Sequence, residues 1–347
     1  YSPSQRHQAN MTKAYGAGCP FQMKAEETIR RMDESGRCGR SFLFAIDFEM
    51  DEGIFISEPL NQKEILFDVR GQGNAPTATD TNESKAPVTF IPHPESLETY
   101  RHRFDRIRTA LMRGDSFLAN LTIATPIEMN ISLEEVFSRS RASYKLLIPG
   151  RLVCFSPERF VKIENGQIST NPMKGTIDAS LPDAAGRLLS DYKETAEHRT
   201  IVDLLRNDLN RVSHHVRVSR FRYLDELHTN KGRLLQMSSE ITGTLPAEKE
   251  KRFGSIIQEL LPAGSISGAP KEATIEAIRE AEGQQRGFYT GVFGYFDGSS
   301  FDSAVMIRYI EQLPDGHYLF RSGGGITINS RCDDEYRETQ QKVYLPF

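Results

Sequence analysis

The stretch Tyr144-Lys145-Leu146-Leu147-Ile148-Pro149-Gly150-Arg151-Leu152-Val153-Cys154-Phe155-Ser156-Pro157-Glu158-Arg159-Phe160-Val161-Lys162-Ile163 decides the fold class. Its apolar runs at 144–148, 152–155 and 160–163 are parted by only three and four residues. Parallel neighbours would need a crossover of about a dozen residues or more, so these strands must pair antiparallel. Upstream, helical period covers 24–34, followed by strand-like runs at 41–48 and 53–57. Leu97, Tyr100, Phe104, Ile107 and Leu111 step by three and four and stop at Gly114, a helix with its glycine cap. A strand at 117–124 follows, and Ser132 with Glu135 forms a capping box for the helix carrying Val136 and Phe137. Downstream the pattern predicts a long helix at 192–212, a strand at 234–245, helices at 247–261 and 270–282, a glycine-rich strand series over 288–328, and a last helix at 333–344. No internal repeat is visible. Runs of strands with covering helices belong to the α+β class, with large antiparallel sheets in one unit.

Composition narrows the function. The 347 residues are 38% hydrophobic and 26% charged, ordinary globular values that exclude fibrous and disordered acidic chains. With 43 basic and 47 acidic residues, the net charge of −4 supplies no footprint for nucleic acid or an anionic membrane. No apolar stretch approaches the roughly 20 residues of a membrane helix, and a soluble, cytoplasmic protein is expected. Cys19, Cys38, Cys154 and Cys332 lack any C-x-x-C spacing and are read as free thiols. Residues 1–22 read as an irregular leader, with Met11 a plausible translation start, ahead of a single domain over 23–347. The Gly, Pro, Thr and Asn mixture at 70–94 reads as a long surface loop.

Two Glu-x-x-Glu pairs stand out, Glu194 with Glu197 on the long helix and Glu335 with Glu338 on the last. A spacing of three puts each pair on one helix face, with Lys342 one turn beyond Glu338. Facing each other, the four acids would form an oxygen-only cluster suited to a hard cation such as Mg²⁺. The competing reading is two solvated faces with surface ion pairs. A di-iron site using His198 lacks its second Glu-x-x-His. Gly264-Ser265-Ile266-Ser267-Gly268-Ala269-Pro270-Lys271 leads into a helix whose free amides could receive a carboxylate, or is a plain helix entry. Gly323-Gly324-Gly325 offers close backbone approach to a ligand, or marks a bulge. Lys174, between Pro172 and Gly175, is a candidate nucleophile if buried, otherwise a solvated lysine. Glu158 is a candidate acid or base, or a salt-bridge partner of a neighbouring cation.

Taken in order, Ser156-Pro157-Glu158-Arg159-Phe160, Pro172-Met173-Lys174-Gly175-Thr176, Ala196-Glu197-His198, Val202-Asp203-Leu204-Leu205-Arg206-Asn207-Asp208, the segment 262–271, the segment 289–295, Ile307-Arg308, Gly323 to Ile326 and Glu335 to Lys342 resemble the chorismate-utilising enzymes. The resemblance runs from about Ser41 to the C-terminus and is nearest to the aminodeoxychorismate synthase branch. It implies an anthranilate synthase component I-like fold of two large antiparallel sheets flanked by helices, around a Mg²⁺ and chorismate site. It further implies Glu197 and Glu338 as the main metal ligands with Glu194 and Glu335 close by. Substrate contacts would come from Gly264, Ser265, Tyr289, Arg308, Gly323, Gly324, Gly325 and Lys342.

Lys174 separates the branches. Anthranilate synthases carry a small residue there, whereas in aminodeoxychorismate synthases the lysine attacks C2 of the ring and directs ammonia to C4. Glu158 is then the candidate to take the lysine's proton. Isochorismate-type enzymes activate water with a lysine in the strand that here reads Phe117-Leu118-Ala119-Asn120-Leu121, where none is present. The implied reaction is conversion of chorismate and ammonia to 4-amino-4-deoxychorismate in para-aminobenzoate and folate biosynthesis, with ammonia from a separate glutamine amidotransferase subunit. The alternatives are anthranilate synthase component I, an isochorismate-type synthase, or a catalytically inactive binding paralogue. Gln236 replaces a histidine found in many relatives, and the N-terminal region lacks the Leu-Leu-Glu-Ser type motif associated with tryptophan binding.

Overall fold

Ser156-Pro157-Glu158 is where the chain passes from one sheet to another. Tyr144–Ile148 and Leu152–Ser156 pair as antiparallel neighbours, Ile148 opposite Leu152. The next strand, Arg159–Glu164, instead pairs with Phe301–Val305 and Gln167–Thr170 in a different sheet. Glu158 therefore stands where the two sheets part. The computed structural model describes residues 19–76, 87–229 and 232–347.

The first sheet runs Gln22–Lys24, Glu52–Ser57, Phe42–Ile46, Val292–Phe296, Phe301–Val305, Arg159–Glu164, Gln167–Thr170, Gly232–Thr244, Met173–Asp178, with His214–Thr229 also on Gly232–Thr244. The second runs Gly268–Ala269, Leu118–Met129, Tyr318–Ile326, Tyr309–Gln312, Leu152–Ser156, Tyr144–Ile148, Leu66–Val69, Gln72–Gly73, with Phe90–Pro92 also on Leu118–Met129. All pairings described are antiparallel. The α+β architecture of two large antiparallel sheets with helices outside is thus the one expected.

Phe42–Ile46 shows why central strands lose the polar/apolar alternation. Phe42, Phe44 and Ile46 face the helices Ala25–Arg37 and Phe253–Leu260, whereas Leu43 and Ala45 face the other sheet with its Tyr144 and Leu152. Both faces are buried, so the whole strand is apolar. Phe253 stacks on Phe301 at 4.8 Å, and Gly254 lets its helix touch the first: a Cβ there would lie 2.0 Å from the Ile29 carbonyl. On the other side, Leu97–Arg113 and Lys271–Glu282 cover the second sheet through Tyr100, Phe104, Ile107, Leu121, Ile123 and Ile278. Burying these apolar side chains contributes about 1.5–3 kcal/mol each.

Several boundaries differ from the sequence reading. The strand Gln22–Lys24 pairs with Glu52–Ile54, so the end of the expected leader belongs to the sheet; residues 1–18, including Met11, lie outside the described residues. The expected loop at 70–94 contributes Gln72–Gly73 and Phe90–Pro92 to the second sheet, and its residues 77–86 lie outside the described residues. The helix expected at 247–261 begins at Phe253. The strand His214–Thr229 went unpredicted. Register shifts at His214/Arg217, Val218/Arg220 and Arg220/Tyr223 break its period of two. Among the described residues, no helix is long and apolar enough to cross a membrane.

Candidate active site

Asp191 caps the helix Tyr192–Val212 by accepting the Glu194 N–H at 2.9 Å, which sets Glu194 and Glu197 in its opening turns. Glu335 and Glu338 lie on the helix Cys332–Gln341, packed on the strand Tyr318–Ile326. A Cβ at Gly324 would be 3.6 Å from Glu335 Oε2 and 3.7 Å from Glu338 Oε1. The backbone at Gly324 thus faces the carboxylates of the acidic helix at contact distance, while a Cβ at Gly323 would press on the neighbouring strand, 2.8 Å from the Leu121 carbonyl.

Lysines answer these acids. Lys174, on the strand Met173–Asp178, places Nζ 2.8 Å from Glu197 Oε2. Lys193 Nζ lies 3.5 Å from Glu335 Oε1 and 3.8 Å from Glu197 Oε1, bridging the two helices. Lys342 donates to Glu338 Oε1 and to the Gly323 carbonyl, both at 2.7 Å. Across the site, Ser265 donates to Glu158 Oε1 at 2.6 Å, and Ser156 Oγ accepts the Glu158 N–H at 3.1 Å. Arg308, at a left-handed φ of 55°, donates from Nε to Tyr344 OH at 3.0 Å. A cavity of about 700 Å³ joins the two sides; Glu158, Lys174, Glu194, Glu197, Ser265, Tyr289, Arg308, Gly323, Gly325, Glu338 and Lys342 all line it.

A family model described as chorismate binding enzyme matches residues 42–346. The chain belongs to the chorismate-binding enzymes. It is 46% identical over 94% of its length to an uncharacterized PabA-like protein of Haemophilus influenzae, covering 98% of that protein. It is 37% identical to anthranilate synthase component 1 of Archaeoglobus fulgidus over 72% of this chain and 61% of that one. With aminodeoxychorismate synthase component 1 of Escherichia coli the identity is 30%, over 71% of this chain and 56% of that one. The chain thus spans about three-fifths of the length of these two named synthases. In fold it is similar to a putative isochorismate synthase from Bacillus anthracis, with TM-score 0.72 and 20% identity, covering 93% of this chain and 88% of that one.

In this chorismate-binding enzyme the site's carboxylates differ sharply in proton affinity. Burial raises Glu158, against the opposing pull of Ser265, Arg308, Lys342 and Lys174. Glu338 is held down at about 2, because Lys342 and Lys174 outweigh its burial. Burial raises Glu194 and Glu335, and the charges of Glu197 and Glu338 respectively add to it. Burial alone would lower Lys174, but Glu197, Glu338 and Glu194 outweigh it and hold the ammonium protonated. The proton acceptor expected for Lys174 was Glu158; the carboxylate found against Nζ is Glu197.

Three expected site residues stand back from the cavity wall. A Cβ at Gly264 would meet Asp208 Oδ2 at 2.8 Å, so its smallness serves packing against the long helix. Gly324 faces the acidic helix, and the Glu335 side chain, 2% exposed, lies behind the cavity. The helix entry at Pro270 is not part of the cavity wall, and Lys271 turns to Asp208 Oδ1 at 2.9 Å and the Leu260 carbonyl at 2.7 Å. Asn120, Thr327, Arg337 and Tyr344 line the cavity without having been singled out; the last two could have been flagged as sequence neighbours of Glu338 and Lys342. Gln236 also lines it, with a buried Oε1 that has no hydrogen-bond partner among the described residues.

The acidic side fits a hard divalent cation by chemistry. Its donors are all carboxylate oxygens, and like-charge repulsion contributes to the raised proton affinity of Glu194 and Glu335. Among the described residues no three such groups are already gathered around one point; Glu197 and Glu338 are turned toward lysines.

Proposed function

We propose that the chain is the chorismate-aminating component of an aminodeoxychorismate synthase, converting chorismate and ammonia to 4-amino-4-deoxychorismate with Mg²⁺. The observation that carries this reading is a lysine lining the cavity of about 700 Å³, at the position where the resemblance separates the branches of the family. Lys174 lines the cavity, and its Nζ lies 4.0 Å from where a Gly325 Cβ would be.

Arg308, with its planar fork, and the amides around Gly323 and Gly325 suit the substrate's carboxylates. The Lys174 ammonium first passes a proton to a site carboxylate; the freed Nζ then attacks C2, both double bonds of the ring diene shift, and the C4–O bond breaks, the hydroxyl leaving as water with that proton. Ammonia then forms a bond to C4, the diene shifts back, and the C2–N bond breaks; a proton passed from the new C4 ammonium to Nζ returns Lys174 to its ammonium form. The sum is chorismate plus ammonia to product plus water. Glu158, buried and hydroxyl-bonded, is the residue suited to hold a proton for the leaving group. Glu197, Glu338, Glu194 and Glu335 would hold Mg²⁺, which when bound supplies Lewis-acid polarisation of the ring carboxylate and takes up carboxylate charge now directed at Lys174. Ammonia would come from a separate glutamine amidotransferase subunit.

The test is a product assay with chorismate, ammonium and Mg²⁺, resolving 2-amino from 4-amino products. A 4-amino product, with an adduct on the Lys174 peptide in quenched samples, is expected. A 2-amino product makes the chain an anthranilate synthase component instead. Glu338→Gln should weaken Mg²⁺ binding and abolish turnover while leaving the fold intact; full activity of that variant in excess EDTA would remove the metal from the reading.

A further inference from the structure

The first turn of a helix is the unfavourable end for a cation, and a lysine four residues before a glutamate is the weaker order of such a pair. Lys193 stands in both positions, second in the helix Tyr192–Val212 and four before Glu197. Its ammonium nevertheless reaches across to the C-terminal helix, 3.5 Å from Glu335 Oε1 and 3.8 Å from Glu197 Oε1. With Lys174 on Glu197 Oε2, both oxygens of Glu197 face an ammonium.

We propose that Lys193 is the exchangeable counter-cation of the two acidic helices: it neutralises Glu197 and Glu335 when no divalent cation is bound, and competes with that cation for the same oxygens. Lys193 thereby sets how tightly the cation is held. The inference rests on the metal-dependent reading above. Two observations single out Lys193 from the other lysines. Lys174 and Lys342 are 19% and 25% exposed and each holds its glutamate at 2.7–2.8 Å. Lys193 is 50% exposed, and its contacts are longer than an ordinary charge-assisted hydrogen bond. Its head group can therefore return to water without leaving a buried charge unpaired on its own side chain.

The experiment is calorimetric titration of Mg²⁺ into the whole chain without chorismate, comparing wild type, Lys193→Met and Lys193→Arg at low and high salt, with thermal melting in EDTA beside it. Removing a competing charge near the site should tighten Mg²⁺ binding about tenfold in Lys193→Met, and the gap should narrow at high salt, where a half-exposed charge is screened. Lys193→Arg should stay near wild type. In EDTA, Lys193→Met should melt below wild type and gain more on adding Mg²⁺. Equal or weaker Mg²⁺ binding by Lys193→Met, with wild-type binding intact, overturns the proposal and leaves the metal reading standing. Absence of heat and of any melting shift in wild type overturns both.

Discussion

Arg286, buried, and Lys174, half-buried, are both cations facing a glutamate, and they differ in what is left over. Arg286 gives Nε and Nη2 to Glu282 at 3.0 and 2.7 Å, Nη2 also to the Asn120 carbonyl at 2.6 Å, and Nη1 to the Ile266 carbonyl and Thr290 Oγ1 at 2.8 and 3.3 Å. Those five bonds match the five N–H donors of a guanidinium. Glu282 in turn accepts from the backbone and hydroxyl of Thr122 at 2.8 and 2.9 Å. That network is closed and clamps segments that bear Asn120 and Ile266, both on the cavity wall. Lys174 has three donors and, among the described residues, one close anion, Glu197, with the cavity beside it. Closed networks hold shape, whereas open ones keep capacity for a ligand.

The comparison is broken most directly at Lys174. Lys174→Ala should lower formation of the 4-amino product by at least about a hundredfold, with residual amination moving toward C2; chromatography of the products and mass spectrometry of the quenched protein check this. A wild-type rate in that variant would mean that ammonia attacks C4 directly. Arg286→Met should cost about 3–5 kcal/mol of stability, because it strands a buried Glu282, 1% exposed. Adding Glu282→Leu should recover part of that loss, as read by urea denaturation. By contrast, Lys174→Met should cost less than about 2 kcal/mol in the same assay, since Glu197 keeps Lys193 and access to cavity water.

The smallest effect concerns Glu158. Ser265 donates to its carboxylate and so favours the charged form. Ser265→Ala should raise Glu158 further, so any limb of the pH–rate profile set by Glu158 moves to higher pH. If deprotonated Glu158 is needed, activity at a fixed pH within that limb falls; if protonated Glu158 is needed, it rises. An unchanged profile would place that limb on another group.

Much of this was legible before any coordinates. Ser132 does accept the Glu135 N–H, Gly114 does close its helix at φ 83°, and the long helix spans Tyr192–Val212 as its pattern predicts. Capping and periodicity are local, so the sequence contains them. His214–Thr229 was missed because three register shifts scramble the alternation, and the bend at Ser156-Pro157-Glu158 could not be known to change sheets. The Glu282–Arg286 clamp gave only an i,i+4 pair, indistinguishable in sequence from a surface ion pair.

By itself the sequence determined the α+β class, the two Glu-x-x-Glu helices and, through motifs in order, membership of the chorismate-binding enzymes. Those depend on near-neighbour spacing and residue type. Only the tertiary structure decided which cation meets which acid: Lys174 with Glu197 rather than Glu158, Lys342 with Glu338, and Lys193 across both helices. Only it set Glu338 low and Glu158 high, although both are glutamates lining one cavity. The physical reason is that proton affinity and pairing follow distances of a few ångströms between residues far apart in the chain, and these exist only once the two sheets and their helices have closed around the site.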